Sequence, residues 1–108
     1  MKPSVKEKWI KALRSGKYKQ GSAHLYDAAT ESYCCLGVLA EIEVGSVDAA
    51  RRPTGEEFLA PQFLERFGLT EDEQRHLSKL NDGSPFAFNG PIEQHSFEEI
   101  ANYIEKNL

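Results

Sequence analysis

Tyr33-Cys34-Cys35-Leu36-Gly37-Val38-Leu39-Ala40-Glu41-Ile42-Glu43-Val44 is the stretch that decides the fold. It is apolar except at Glu41 and Glu43, too short to span a bilayer and too continuous for a half-wet strand. It therefore reads as a buried helix over 33–44, with Ser32 as its N-cap. Both cysteines of the chain open it. Gly37 lies inside it, where glycine costs about 1 kcal/mol relative to alanine. A glycine kept there predicts close approach by another element, Trp9 or an aromatic ring.

Upstream, Ser4 and Glu7 have capping-box spacing, and Val5, Trp9, Ala12 and Leu13 recur on one helical face that ends at Ser15-Gly16. Trp9, central on that face, reads as a core anchor. Residues 17–32 read as a short hairpin, with a turn at Gly21 and the segment His24-Leu25-Tyr26 leading through polar residues into Tyr33. Downstream, Val44-Gly45-Ser46 ends the central helix, and residues 45–60 read as a loop, the most mobile part of the chain, closed by Phe58-Leu59 as a short strand. Pro61 suits a first helical position, ahead of the stripe Phe63, Leu64 and Phe67. Thr70 with Glu73, and Ser96 with Glu99, give two further capping boxes. Leu77 and Leu80 follow the first of these; Phe97, Ile100, Ala101, Ile104 and Leu108 follow the second. Asn81-Asp82-Gly83-Ser84-Pro85 breaks the chain between them, and Phe86 to Pro91 reads as an aromatic loop or a short extended piece. The expected fold is α+β: one mainly helical domain over 1–108, with about five short helices and one small β-hairpin.

Composition narrows the function classes. The 108 residues are 40% hydrophobic and 28% charged, a globular mix. No apolar run is long enough for a membrane span, and the N-terminus has no apolar signal region, so a cytoplasmic location is expected. Two adjacent cysteines make no disulfide framework and lack the spaced partners of a zinc site. His24, His76 and His95 have no ligand spacing with them, so neither a metal nor another cofactor is expected. The net charge of −4 hides an asymmetry: residues 1–20 hold seven basic residues against Glu7, a net of +6, and the remainder carries −10. A basic end can mark a phosphate contact or simply a solvated helix face. The acidic body disfavours nucleic acid as a partner.

Three segments together carry a resemblance. They are Trp9 with Ala12-Leu13-Arg14-Ser15-Gly16, Tyr18 and Gln20; Tyr33-Cys34-Cys35-Leu36-Gly37-Val38-Leu39; and Leu80-Asn81-Asp82-Gly83 with Ser96-Phe97-Glu98-Glu99-Ile100-Ala101 and Tyr103-Ile104-Glu105. On these the chain resembles a family of short, uncharacterised proteins of tailed bacteriophages and prophages. The resemblance implies a phage or prophage product acting in the bacterial cytoplasm on a host component.

Candidate sites follow from residue chemistry. A thiol at a helix N-terminus is favoured as thiolate. The order Gln20, then Cys34 or Cys35, then His76 or His95 with Asn81 or Asp82 resembles the order of papain-type thiol hydrolases, although those enzymes seat the histidine on a substantial sheet, which this pattern lacks. The alternative is that both cysteines are small core residues. Tyr18, Gln20, Asn81 and Asp82, at helix ends and turns, form a candidate ligand-binding cluster; turn Asn and Asp side chains also bond their own backbone. Tyr26, Phe86 and Phe88, with Tyr18, are aromatics able to stack on a partner or to lid the core. The leading expectation is a non-enzymatic accessory protein binding a host protein or small ligand, with counter-defence as a role. The alternatives are a thiol-dependent hydrolase and a nucleic-acid accessory protein using the basic first helix. The sequence leaves the oligomeric state open, a homodimer included.

Overall fold

A computed structural model describes residues 1–51, 58–83 and 91–108. Among them the chain runs α1 (Pro3–Arg14), β1 (Tyr26–Asp27), β2 (Ser32–Tyr33), α2 (Cys35–Val44), α3 (Val47–Ala50), α4 (Pro61–Phe67), α5 (Glu71–Asp82) and α6 (Phe97–Asn107). It is a compact, mainly helical domain with one antiparallel hairpin, in which Tyr26 pairs with Tyr33 and Asp27 with Ser32. The expected α+β class with a small β element is the fold observed, with one helix more than expected.

The centre of the domain is α2. Six consecutive residues, Cys35 to Ala40, are buried, so this helix has no wet face along its first two turns. A helix ringed by protein cannot hand its unpaired N-terminal N–H groups to water and must find partners inside. The Cys34 sulfur accepts from the Gly37 N–H at 3.4 Å, and the Asn81 side chain from α5 accepts the Cys35 N–H at 3.1 Å. The cap is thus Cys34, not Ser32. Tyr33 and Ser32 are committed to the hairpin ladder, and the helix begins only when the chain leaves it.

Gly37 is required by contact, as its place in the helix suggests, but the neighbour is neither Trp9 nor a ring. A Cβ there would overlap the backbone carbonyl of Leu25. The same carbonyl accepts the Cys34 N–H at 3.2 Å. The hairpin backbone therefore lies directly on the first turn of α2.

On another side of α2, α1 buries Val5, Trp9 and Leu13. The Trp9 indole N–H, which would be costly to bury unpaired, donates to the Cys35 carbonyl at 2.8 Å. The start of α1 differs from the capping box read at Ser4 and Glu7. Pro3 occupies the first turn, where its missing N–H costs nothing, so the helix starts at Pro3 with Lys2 as a cap that makes no side-chain bond. Lys2 instead donates its backbone N–H to the Phe67 carbonyl at the end of α4. The other two boxes form as read: Thr70 with Glu73 opens α5, and Ser96 with Glu99 opens α6. The bonds from Ser96 hold the Glu99 carboxyl below its usual range.

The loop read over 45–60 needs correction at its described positions. Ser46 caps the short helix α3, which buries Val47 and Ala50. Arg51 bridges Leu59, and the Ala60 N–H reaches the Ala50 carbonyl at 2.8 Å. Leu59 is buried, and its N–H is taken by the buried side chain of Gln74 at 2.7 Å. Four residues are too few for helical periodicity to be visible in sequence. Residues 52–57 of that loop, and Phe86 and Phe88 of the aromatic loop, lie outside the described residues.

Two glycines at α2 separate steric from conformational demand. Gly45 ends the helix in the left-handed region at φ 82°, and a methyl group added to it would meet nothing within 4 Å. Gly45→Ala is expected to cost about 1 kcal/mol, the strain of an L-residue held in the left-handed region. Gly37→Ala has to displace backbone and is expected to cost about 3 kcal/mol or to abolish folding. Urea denaturation of the two variants checks this order, and equal losses would refute the contact assigned to Gly37.

Candidate functional site

The structure separates the sequence-derived candidates into those used inside the fold and those left at its surface. The thiols are inside. Cys34 is 4% exposed and Cys35 fully buried. The Cys35 sulfur faces the Leu77 carbonyl at 3.7 Å. Two effects compete at Cys34. Burial raises the pKa, while the N–H groups of the first turn of α2 lower it; burial wins, and the thiol is pushed up to about 12. Burial also raises Cys35 well above the ordinary range. The helix N-terminus expected to activate these thiols is present, but it is dry.

Among the described residues, neither His76 nor His95 is a hydrogen-bond partner of either sulfur. The His95 Nδ1 lies 2.8 Å from the Glu93 carbonyl oxygen, and the His76 ring rests on Tyr103 with centroids 5.0 Å apart. The elements of a cysteine–histidine pair are therefore not assembled, and no substantial sheet is present among the described residues.

Gln20 and Asn81 are brought together, as the polar-cluster reading expects, but their capacity is taken up by the chain. The Gln20 amide N–H groups donate to Asn81 Oδ1 at 3.1 Å and to the His95 carbonyl at 2.7 Å. Its carbonyl oxygen accepts the Phe97 N–H at 3.1 Å. Asn81 is fully buried; it accepts the Cys35 N–H and donates to the Gly21 carbonyl and to Asp82 Oδ1, both at 2.8 Å. These two amides tie the hairpin approach, α2, α5 and the start of α6 into one node. Asp82 joins the node through Asn81. A shallow cleft beside it is lined by Gln20, His95 and Glu99, among others.

Tyr18 lies elsewhere. Its ring meets Tyr33 edge-on with centroids 5.3 Å apart, and Tyr33 meets Tyr26 at 4.8 Å. The three rings form a row on the surface. Tyr33, which the sequence places in the apolar motif and not among the site residues, is the middle of that row; hairpin pairing of Tyr26 with Tyr33 is what puts the rings side by side.

A cleft of about 830 Å³ has neither thiol in its lining. It runs along the outer face of α1 beside α6, with Pro3 and Ile10 in its floor and Lys6, Lys11, Arg14 and Lys17 around it; Glu7 and Glu105 also line it. Arg14 is held in place by Asn102 at 2.6 Å, Glu105 at 3.3 Å and Glu98 at 3.6 Å. Lys6 donates to the Glu105 carbonyl. A second, smaller cleft shares Lys11, Ser15 and Lys17 and reaches Tyr18. No group of three or more His, Cys, Asp or Glu side chains able to hold a metal occurs among the described residues. No helix among them is long and apolar enough to cross a membrane.

The first half of the chain, residues 1–59, matches the family described as a domain of unknown function, DUF8296. The chain belongs to this family. The DUF8296 segment carries α1, the hairpin, α2 and α3, and so contains Trp9, Gln20, both cysteines and Gly37, while Asn81 and the histidines of α5 and the α6 approach lie beyond it. No curated protein and no solved structure matches the chain.

The burial of the thiols has a chemical and a thermodynamic consequence. In the folded protein neither cysteine is expected to react with iodoacetamide between pH 7 and 9, whereas both label in urea. Because the Cys34 pKa is raised from its ordinary 9.0 to about 12, its stabilising contribution is complete below pH 9 and is lost as pH rises to about 12. The unfolding free energy of the native chain should therefore fall across that window by up to about 1.4 kcal/mol per pH unit more than that of Cys34→Ala. Rapid labelling of either thiol at pH 7 would contradict the burial. The amide node is tested by Asn81→Ala, which strands the Cys35 N–H and the Gly21 carbonyl in the interior. It is expected to cost about 3 kcal/mol, and Gln20→Ala less, with strong coupling in a double-mutant cycle. Near-neutral effects at both positions would show that these amides are not the structural node described.

Proposed function

We propose that this protein is a non-enzymatic accessory protein of phage or prophage origin, working in the bacterial cytoplasm by binding, and that it holds a small phosphate-bearing ligand in the groove along α1. The observation that carries this reading is the groove itself. It is a cleft of about 830 Å³ that combines apolar lining from Pro3 and Ile10 with the cations Lys6, Lys11, Arg14 and Lys17, the usual build of a ligand site. Lys11 and Lys17 have no acidic partner among the described residues, while the anchored Arg14 and Lys6 fix one wall. The buried, protonated thiols support binding over thiol hydrolysis. Withholding a small signalling or metabolic phosphate from the host is one way a protein of this size acts in counter-defence.

The helix that the groove follows has 12 residues and is about 18 Å long. That span suits one or two nucleotides. A long nucleic acid would run from α1 onto a body that carries −10 beyond residue 20.

Calorimetric titration with ATP, GTP and inorganic pyrophosphate at low salt tests the proposal. At least one probe is expected to bind, and the exposed double variant Lys11→Glu/Lys17→Glu is expected to weaken it at least tenfold with an unchanged melting temperature. No binding of any probe, or binding indifferent to the double variant, refutes the assignment of the groove. Tighter binding of a single-stranded oligonucleotide through the same lysines would transfer it to the nucleic-acid reading.

A further inference from the structure

We propose that a separate cleft, between the β1–β2 hairpin and the α2–α3 corner, receives an arginine side chain presented by a partner protein. The cleft measures about 230 Å³ and is bounded by Tyr26 and Tyr33 on one side and by Glu41, Ser46 and Asp48 on the other. Its two kinds of wall suit one kind of guest. Aromatic faces attract a cation within about 6 Å of the ring centre. Carboxylates opposite them select positive charge and accept the paired N–H groups of a planar guanidinium.

Among the described residues, Glu41 is left without an ion pair by the fold, and Asp48, 85% exposed, is held only by a local one at the surface, to its neighbour Arg51 one turn away. Tyr26 is 38% exposed, the large hydrophobic side chain left most open among those described, in a position typical of an interface anchor. Burial first, and then the nearby Glu41 carboxylate, pushes the Tyr33 phenol above its ordinary range, so negative charge stands close to this ring. The charge distribution of the chain supports the choice of guest, since its positive residues are concentrated in the first twenty and this face belongs to the acidic remainder. A lysine ammonium satisfies the charge but not the stacking or the paired donation, so arginine is the better fit.

The test uses the full chain and three short peptides of one sequence, carrying arginine, lysine or citrulline at three positions; citrulline keeps the shape of arginine without its charge. Titrations are followed by NMR at the tyrosine rings and backbone amides. The arginine peptide is expected to move Tyr26, Tyr33, Glu41 and Asp48 saturably, to bind at least threefold more tightly than the lysine peptide, and to leave the citrulline peptide without effect. Tyr26→Ala and Glu41→Gln are each expected to weaken binding at least fivefold with unchanged melting temperature. Lys11→Glu/Lys17→Glu is expected to leave it intact, which separates this site from the α1 groove. Shifts spread evenly over the acidic surface, equal binding of the citrulline or lysine peptide, or indifference to both cleft variants would overturn the proposal.

Discussion

The structure depends on the burial of the first turn of α2. A surface helix sheds the problem of its unpaired N-terminal donors into water; α2 cannot, because Cys35 to Ala40 are enclosed. Three neighbours are accordingly tied to that turn by specific polar contacts. The amide of Asn81 brings α5 to the Cys35 N–H, the indole of Trp9 brings α1 to the Cys35 carbonyl, and the Leu25 carbonyl brings the hairpin to Cys34 and against Gly37. One residue, Cys35, thus meets α1 and α5 through its N–H, its carbonyl and its sulfur. Apolar burial supplies most of the driving force, but it is indifferent to direction; these bonds fix how the helices are rotated about α2.

That division explains what is legible in the chain. Amphipathic periodicity and capping boxes are local, and they locate α5 and α6 and the buried face of α1. The buried character of α2 is equally plain from its unbroken apolar run. Its start is not, because the competition for Ser32 and Tyr33 is won by a hairpin whose pairing is decided in space. Asn81 illustrates the same limit. A polar residue at the end of a helix pattern reads as a turn residue or a ligand contact, and nothing nearby reveals that its amide serves a helix 46 residues earlier in the chain. Gln74 is comparable: buried, polar, and explained only by the Leu59 N–H that it satisfies.

The candidate site divides along the same line. Residue types suited to chemistry are also the types suited to satisfying buried backbone, and here the cysteines and amides serve the second purpose. A helix N-terminus activates a thiol when solvent or a cationic partner also supports the thiolate; with neither, the cost of desolvating the charge exceeds the help from the N–H groups. The motif Tyr33 to Val38 is specific because the packing around Cys35 and Gly37 admits few alternatives, which is sufficient reason for its composition.

What remains for recognition is electrostatic. The basic residues of α1 are used in two ways. Arg14 and Lys6 fasten α1 to α6, while Lys11, and Lys17 just beyond the helix, stand without acidic partners among the described residues. A helix whose only purpose was to adhere to an acidic body would direct its cations toward that body. Surface ion pairs contribute little stability, so outward lysines are tolerated easily, but converging several around an apolar groove raises a local repulsion that an anion relieves. The tyrosine row lies between this face and the acidic corner of α2 and α3, with Tyr18 in the cationic cleft and Tyr26 and Tyr33 in the anionic one. The packed rings, which carry no charge, stand between two regions of opposite charge.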